Sequence, residues 1–485
     1  MDDLQLTDYL EHDREIPAEL AVQNGVTTWN GRLAFEYRKD GLLQYRKVRF
    51  VDETGAKSFG RDRKGAATCM FLEHTIQDDP DLSSPLVITE GEFDALAVLA
   101  AGIPNVVSVP DGAQLEQEGE GKIIPKEDRA FGWLWDGAAL KPHIDKFERI
   151  VLAVDSDAKG RVLRTELAVR LGMERCYWVD YPKGCKDANE VLIAHGAQVL
   201  AELVRGARPI IPDTLVAFGD IPDLGTGECF PSGFKGLDEG LGFSMMAPEI
   251  MFITGEPGSG KSEFANILGC NLANFSELPG AILQFEDTTL RVRETLLTYA
   301  IGNVPGIENR GQAREWMDKW FRTIPPQQGL DTGDDYTLEW LEKVIREART
   351  RHGCKWIILD PWNEMEHMWD RTKTEAVYTN DALRRLKRIA RAYQIILIVV
   401  VHPSKEGGKQ KEIEDMDGYM ISGGAAFNNK GDHIIVVHRA DKSKPGVFVK
   451  IAKSKNHILM GRPGIVRMEY QPASAKFRYV GMGKA

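Results

Sequence analysis

The 485-residue chain has no apolar run approaching the ~20 residues that cross a bilayer, so no helical membrane span is expected in it. Its opening stretch, MDDLQLTDYLEHDREIPAEL, is acidic and lacks an apolar centre. No targeting segment is therefore expected there, and the expected compartment is the cytoplasm. Cysteine is sparse. The six residues Cys69, Cys176, Cys185, Cys229, Cys270 and Cys354 form no close pair, which argues for a reducing interior and against a zinc ribbon or a disulfide framework. An excess of positive charge is also missing: 72 acidic against 61 basic residues give a net charge of −11, which argues against a wholly nucleic-acid-coating surface. Basic residues nevertheless concentrate between Lys430 and Arg467, where nine Lys/Arg face two Asp/Glu.

With 43% hydrophobic and 27% charged residues the chain has the composition of a globular protein, and its length suits two or three domains. Residues 27–60 alternate apolar and polar positions around Lys-Asp-Gly and Glu-Thr-Gly, predicting short antiparallel strands. From 85 to 200, the runs PLVIT, NVVSV, IVLAVD and CYWVDYP alternate with helical patterns at 92–101 and 161–172, predicting α/β packing on a largely parallel sheet. Residues 205–232 are rich in proline and glycine and read as a linker. Beyond it, EIMFITG, AILQFED, KWIILDP and IILIVVVH predict a second α/β domain. The final runs HIIVVHRA, GVFVKIAKS, GIVRMEY and KFRYVGM are expected to be antiparallel.

The segment GEPGSGKS, residues Gly255, Glu256, Pro257, Gly258, Ser259, Gly260, Lys261 and Ser262, follows the apolar run IMFIT and opens a helical pattern. Glycines allow backbone N–H groups to close on phosphate oxygens, and the helix N-terminus adds partial positive charge. In this pattern the lysine reaches the β and γ phosphates of ATP and the hydroxyl ligates Mg²⁺, which assigns those parts to Lys261 and Ser262. Such a site also needs a metal-side acid and a residue that orients water. Asp360 closes KWIILD and suits the first task; Glu286 closes AILQFE and suits the second. His402 closes IILIVVVH, a third strand tip on the same expected edge.

A second acidic set lies upstream. Asp155 and Asp157 in VLAVDSDAKG are two residues apart on a strand end, so both can face one hard cation. Glu90, with Asp94 four residues on, ends the run PLVITEGEFD. Glu90, Asp155 and Asp157 together could hold one or two Mg²⁺ or lend a carboxylate for proton transfer. Turns also use Asp-x-Asp freely.

ITEGEFDALAV, VLAVDSDAKG and KGCKDANEVL closely resemble the Toprim domain of DnaG-type and phage-type primases. SGFKGLDEGLGFSMMAPEIMFITGEPGSGKS and GGAAFNNKGDHIIVVHR resemble the RecA-like motor of DnaB-family replicative helicases. In this order they resemble the bacteriophage-type primase–helicases and Twinkle-like helicases. The resemblance implies an α/β chain: an N-terminal primase-like subdomain (1–80), a Toprim domain (81–204), a linker (205–232) and a RecA-like P-loop ATPase domain (233–485). It implies an ATP-hydrolysing ring, of six subunits, that translocates on single-stranded DNA, unwinds forked duplex and works beside a replicative DNA polymerase. By position, Glu90 matches the Toprim acid–base glutamate and Asp155 and Asp157 its metal pair. Glu286 matches the glutamate that activates water, Asp360 the metal-side acid and His402 the γ-phosphate sensor. Lys405, Asn428 and Lys430 would face DNA.

Two departures stand out. Relatives that make primers usually carry an N-terminal zinc ribbon, and the first thirty residues hold no cysteine, so little primer synthesis is expected. The family's Lys-x-Arg, whose arginine reaches a neighbouring subunit's ATP, is Lys453-Ser454-Lys455 here; Lys455, Arg462 or Arg439 would have to stand in. The basic helix at 381–393, with Arg384, Arg385, Lys387, Arg388 and Arg391 opposite Leu383, Leu386 and Ile389, reads first as a solvated face or a subunit contact, with DNA contact as the lesser alternative. A Toprim nuclease coupled to an ATPase, and a DNA-binding ring that uses ATP only as an assembly switch, are the alternative readings.

Overall fold

A computed structural model describes residues 1–483 apart from 52–56, 78, 111–114, 119–121, 126–127, 135–139, 212–227, 287, 325–335, 366–374 and 405–411. The chain divides into two compact units, Met1–Gly225 and Thr226–Ala485.

In the first unit, Val26–Trp29, Arg32–Lys39, Leu42–Val51 and Lys57–Arg61 form an antiparallel four-stranded sheet, as their alternation predicts. A five-stranded sheet follows in the order Arg208–Pro209, Cys176–Trp178, Ile150–Ala153, Leu86–Thr89, Val106–Ser108. It is parallel except at the pairing of Arg208–Pro209. Its two central strands are buried at every position, which fits a parallel sheet covered on both faces. The two sheets share one apolar core that joins Phe35, Tyr37 and Tyr45 to Val87, Leu96 and Val151. A buried ion pair at 2.7 Å, Lys47 Nζ to Glu92 Oε1, ties the first sheet to the helix Glu92–Ala100 that follows Leu86–Thr89.

The second unit is built on one nine-stranded sheet. Its order is Phe321–Thr323, Gly280–Gln284, Trp356–Asp360, Ile396–Val400, Glu249–Thr254, His433–His438, Gly446–Ser454, Gly464–Gln471, Lys476–Met482. The first six strands run parallel and the last three continue antiparallel. His433–His438 corrects the expectation of an all-antiparallel end. It pairs parallel with Glu249–Thr254 and antiparallel with Gly446–Ser454. Its six residues are all buried, as a strand covered on both faces of the sheet requires.

Register decides where chemistry can occur. Gln284 pairs with Asp360, Leu359 with Val399, and Ile253 with Val400, so these strands end together along one edge. The helix Lys261–Phe275 packs beneath that edge and its interior is almost wholly buried. Trp356 anchors this packing: its ring is fully buried and its Nε1 donates to Leu278 O at 2.9 Å. A Cβ on Gly280 would stand 2.1 Å from that ring, and one on Gly269 2.7 Å from it. Gly280→Ala therefore overpacks a site that cannot yield, and should destabilise the second unit by about 1–3 kcal/mol in denaturant unfolding of the full chain. Unchanged unfolding would show that the strand can shift away from the indole.

Candidate active site

The nucleotide-type loop begins where the strand Glu249–Thr254 ends, and its backbone is glycine-dependent. Gly255 has φ +148°, and a Cβ there would lie 2.0 Å from Val437 O. Gly258 (φ +72°) and Gly260 (φ +96°) take left-handed turns that L side chains rarely adopt, and Gly260 caps the helix Lys261–Phe275. Lys442 Nζ braces the loop from outside by donating to Pro257 O at 2.7 Å.

The Lys261 ammonium folds back on the loop, donating to Gly255 O at 3.0 Å and Glu256 O at 3.1 Å. Burial pulls its pKa below the usual lysine range, while the charges of Asp360 and then Glu286 pull the other way. Asp360 is 2% exposed. Burial raises its carboxyl above the ordinary range, opposed by hydrogen bonds from Ser262 and Gln284 and by the Lys261 charge. Gln284 Nε2 donates to Asp360 Oδ2 at 3.3 Å. Glu286 lies beyond the end of the neighbouring strand, its Oε2 3.5 Å from His402 Nε2. The His402 amide donates to Asn363 Oδ1 at 3.0 Å.

The structure thus brings Lys261, Ser262, Glu286, Asp360 and His402 together along one sheet edge. It adds Gln284, Asn363 and Lys442, which the motif reading passed over. Gln284 was legible in principle, since it stands two residues before Glu286 and Asp360 is its cross-strand partner. Nothing local marks Lys442. Ser262 and Asp360, hydroxyl and carboxylate in contact, are hard oxygen donors of the kind Mg²⁺ takes.

The other expected residues are more dispersed. Lys405 falls outside the described residues. Asn428 and Lys430 lie on the short helix Gly424–Lys430, where Asn428 O accepts from Lys453 Nζ and Lys430 O accepts from Lys387 Nζ at 3.1 Å. Lys455 follows the strand Gly446–Ser454, whose end pairs with His433 at the amino end of the parallel strand. It is therefore at the sheet edge opposite the loop. Arg439 follows His438 at the loop's own edge, and its guanidinium donates to Lys444 O. The Arg462 amide donates to Leu241 O at 2.9 Å. On the helix Glu375–Tyr393, Arg385 pairs with Glu339 and Glu342 and Lys387 with Asp432, so part of its basic face is engaged within the chain.

In the first unit, Glu90 directly follows Leu86–Thr89 and Asp155 lies just beyond Ile150–Ala153, the adjacent parallel strand. Asp157 is occupied differently from expectation: its Oδ1 accepts from Gly160 N at 2.9 Å and caps the helix Ala158–Leu171. Asp155 is paired with Lys186 at 3.2 Å. Among the described residues, no three such side chains converge as a ready metal-ligand set. Besides Asp157, acids from elsewhere in the unit act on Asp155. Asp187 caps the helix Ala188–Arg205, and the buried Asp94 accepts from Asn189 N at 3.0 Å. Burial, then the Asp187 charge, raises Asp94 well above the carboxylate range. Burial, then Asp94, Asp187, Asp155 and Glu90, raises the Tyr181 hydroxyl. A cation entering here would compete with Lys186 for Asp155.

A family model described as an AAA domain matches residues 239–408, and one described as a Toprim domain matches residues 84–175. The Twinkle homolog protein, chloroplastic/mitochondrial, of Arabidopsis thaliana is 30% identical over 463 residues, 88% of this chain and 62% of that protein. This chain therefore spans less than two thirds of that relative's length. The DNA helicase/primase of Enterobacteria phage T3 is 25% identical over 438 residues, 83% of this chain and 70% of that protein. Among solved structures, that of a DnaB-like replicative helicase and its interactions with primase has a TM-score of 0.43 at 15% identity, covering 60% of this chain and 73% of that one.

The Lys186 contact yields a direct check on the acidic cluster. Burial raises Asp155 and Lys186 opposes the rise. Lys186→Gln should move the Asp155 titration to higher pH in carboxyl-detected NMR. A titration that stays put or moves down would show that the ion pair does not govern this acid.

Proposed function

We propose that this chain, a Toprim domain followed by an AAA domain and homologous to Twinkle and phage helicase/primase proteins, is an ATP-driven DNA helicase that works as a ring. The observation that carries the reading is the gathering of Lys261, Ser262, Gln284, Glu286, Asp360 and His402 on one edge of a parallel sheet, around a glycine-built loop.

Each side chain has a task in such a site. The Gly255–Ser262 backbone and the following helix N-terminus hold the phosphates of ATP. Lys261 exchanges its two loop carbonyls for phosphate oxygens. Ser262 and Asp360 would hold Mg²⁺, with Gln284 keeping the Asp360 carboxylate aimed. The metal would supply neutralisation of phosphate charge. Glu286, exposed at a strand tip, orients the attacking water and takes its proton. His402 touches Glu286 from the next strand but one and reads whether the γ-phosphate is present. It begins the segment that contains Lys405, proposed with Asn428 and Lys430 to face single-stranded DNA; such phosphate contacts weaken with salt.

The site is completed by a second copy. Lys455 lies level with the start of the strand that carries the loop, so its own loop is about five residues away along that strand, roughly 15–17 Å. It cannot serve its own site, and we assign it to the nucleotide of a neighbour. A ring, of six subunits by resemblance to the DnaB-family motors, repeats that boundary until it closes. Lysine brings charge without the planar fork of arginine, so this motor depends on how well the ammonium is aimed. The Toprim acids are proposed as a separate Mg²⁺ site with Glu90 as proton acceptor, and a replicative DNA polymerase is the proposed partner at the fork.

Lys261→Ala should abolish both ATP turnover and unwinding of a forked duplex while circular dichroism stays native. Unwinding that persists in this variant would refute the assignment. Wild-type turnover that single-stranded DNA fails to stimulate, with no strand displacement, would favour an ATP-switched binding ring instead.

A further inference from the structure

At the sheet edge opposite the loop, one carboxylate gathers the surrounding cations. Asp432 directly precedes the strand His433–His438, and its side chain is 7% exposed. Its Oδ1 accepts from Lys387 Nζ at 2.8 Å and from Lys455 Nζ at 3.0 Å. Its Oδ2 accepts from the Ile250 amide at 3.1 Å, at the start of the loop-bearing strand. Lys453 and Arg391 add further positive charge nearby.

We propose that Asp432 is the positioning residue for the cation that this subunit lends to its neighbour's nucleotide, fixing the Lys455 ammonium at the outer edge and releasing it to phosphate. The inference rests on the reading of Lys455 as a trans-acting group and goes one residue beyond it. Two features of the geometry carry it.

The first is the difference in burial between the two lysines. The Lys387 side chain is 17% exposed and is anchored a second time on Lys430 O, whereas Lys455 is 57% exposed and points its free surface outward. A lysine stem is long and flexible, so an ammonium that must meet a phosphate gains from being held near its target position beforehand.

The second is that the carboxylate carries two ammoniums. Breaking a buried pair is costly when it leaves an unpaired charge. When Lys455 leaves for a phosphate, Asp432 keeps Lys387 and the Ile250 amide, so no buried charge is orphaned. The surplus of lysines around one acid also leaves Lys455 only partly neutralised, which favours its transfer to a polyanion. Neither feature has a use if Lys455 is merely a surface residue.

A subunit-mixing experiment on the full-length protein separates this from a structural role. Asp432→Asn alone should lower kcat for DNA-stimulated ATP hydrolysis about 10- to 100-fold, the range usual for groups that orient a catalytic one, with KM for ATP unchanged. Mixed with Lys261→Ala subunits, which lack a working loop but keep Asp432 and Lys455, it should regain turnover. In a random equal mixture about a quarter of the boundaries pair an intact loop with an intact cation, so turnover should approach about a quarter of wild type.

The parallel mixture of Lys455→Ala with Lys261→Ala tests the trans reading itself. If that control recovers and the Asp432→Asn mixture does not, Asp432 acts within its own subunit and the proposal fails. If the control does not recover, the assignment of Lys455 fails and takes the proposal with it. Should Asp432→Asn not fold, Asp432→Glu keeps the charge while displacing the carboxylate by about one bond length. The same loss of kcat and the same recovery in the mixture are expected of it, and wild-type turnover by Asp432→Glu alone would overturn the proposal.

Discussion

Parallel register in the second unit is the constraint on which the proposed chemistry depends. Four strands finish within a residue of one another, so four strand ends and a helix N-terminus meet along a single edge. Gln284 meets Asp360 because they are cross-strand partners, and Ser262 meets Asp360 because the loop strand and the Asp360 strand share a neighbour. Shifting one strand by a residue would turn its terminal acid to the other face of the sheet. The almost wholly buried strands and the tightly enclosed Trp356 ring make such a slip expensive, so packing deep in the core holds the geometry of an exposed edge.

The same sheet separates two kinds of charge. At the loop edge Lys261 and Asp360 are buried, and burial works against the charged form of each while their mutual attraction works for it. At the opposite edge Asp432 is held below the usual carboxylate range: burial by itself would raise it, but Lys387, the Ile250 amide and Lys455 outweigh that effect. The lysines gathered around Asp432 at the edge opposite the loop support the proposed head-to-tail meeting of copies, the arrangement from which closed rings form.

Much of this was readable from the sequence, and the parts that were not have physical reasons. The loop is a contiguous pattern whose glycines answer to local backbone geometry, so it could be found without the fold. Glu286, Asp360 and His402 were found because each ends an apolar run, and in a parallel sheet the ends of such runs share an edge. The strand His433–His438 reads the same whether its neighbour runs parallel or antiparallel, so its pairing on both sides could not be read from its pattern. Asp155 and Asp157 illustrate the limit of a short motif. Spacing puts both on one side of an extended strand, but the chain turns into a helix after Asp155 and spends Asp157 on the cap. The interaction of Asp94 with Asp187 spans more than ninety residues, and the partners of Asp432 come from a helix, a strand end and the loop strand. Such groupings exist only once the sheets are assembled.

The central claim is that nucleotide is cleaved at a boundary between two copies of this chain. ATP turnover per subunit, measured across a dilution series with the molecular mass followed by light scattering, tests it most directly. The account predicts that specific activity falls steeply as the assembly dissociates, and that monomers retain little of it. Specific activity that stays constant down to concentrations at which only monomer remains would contradict it.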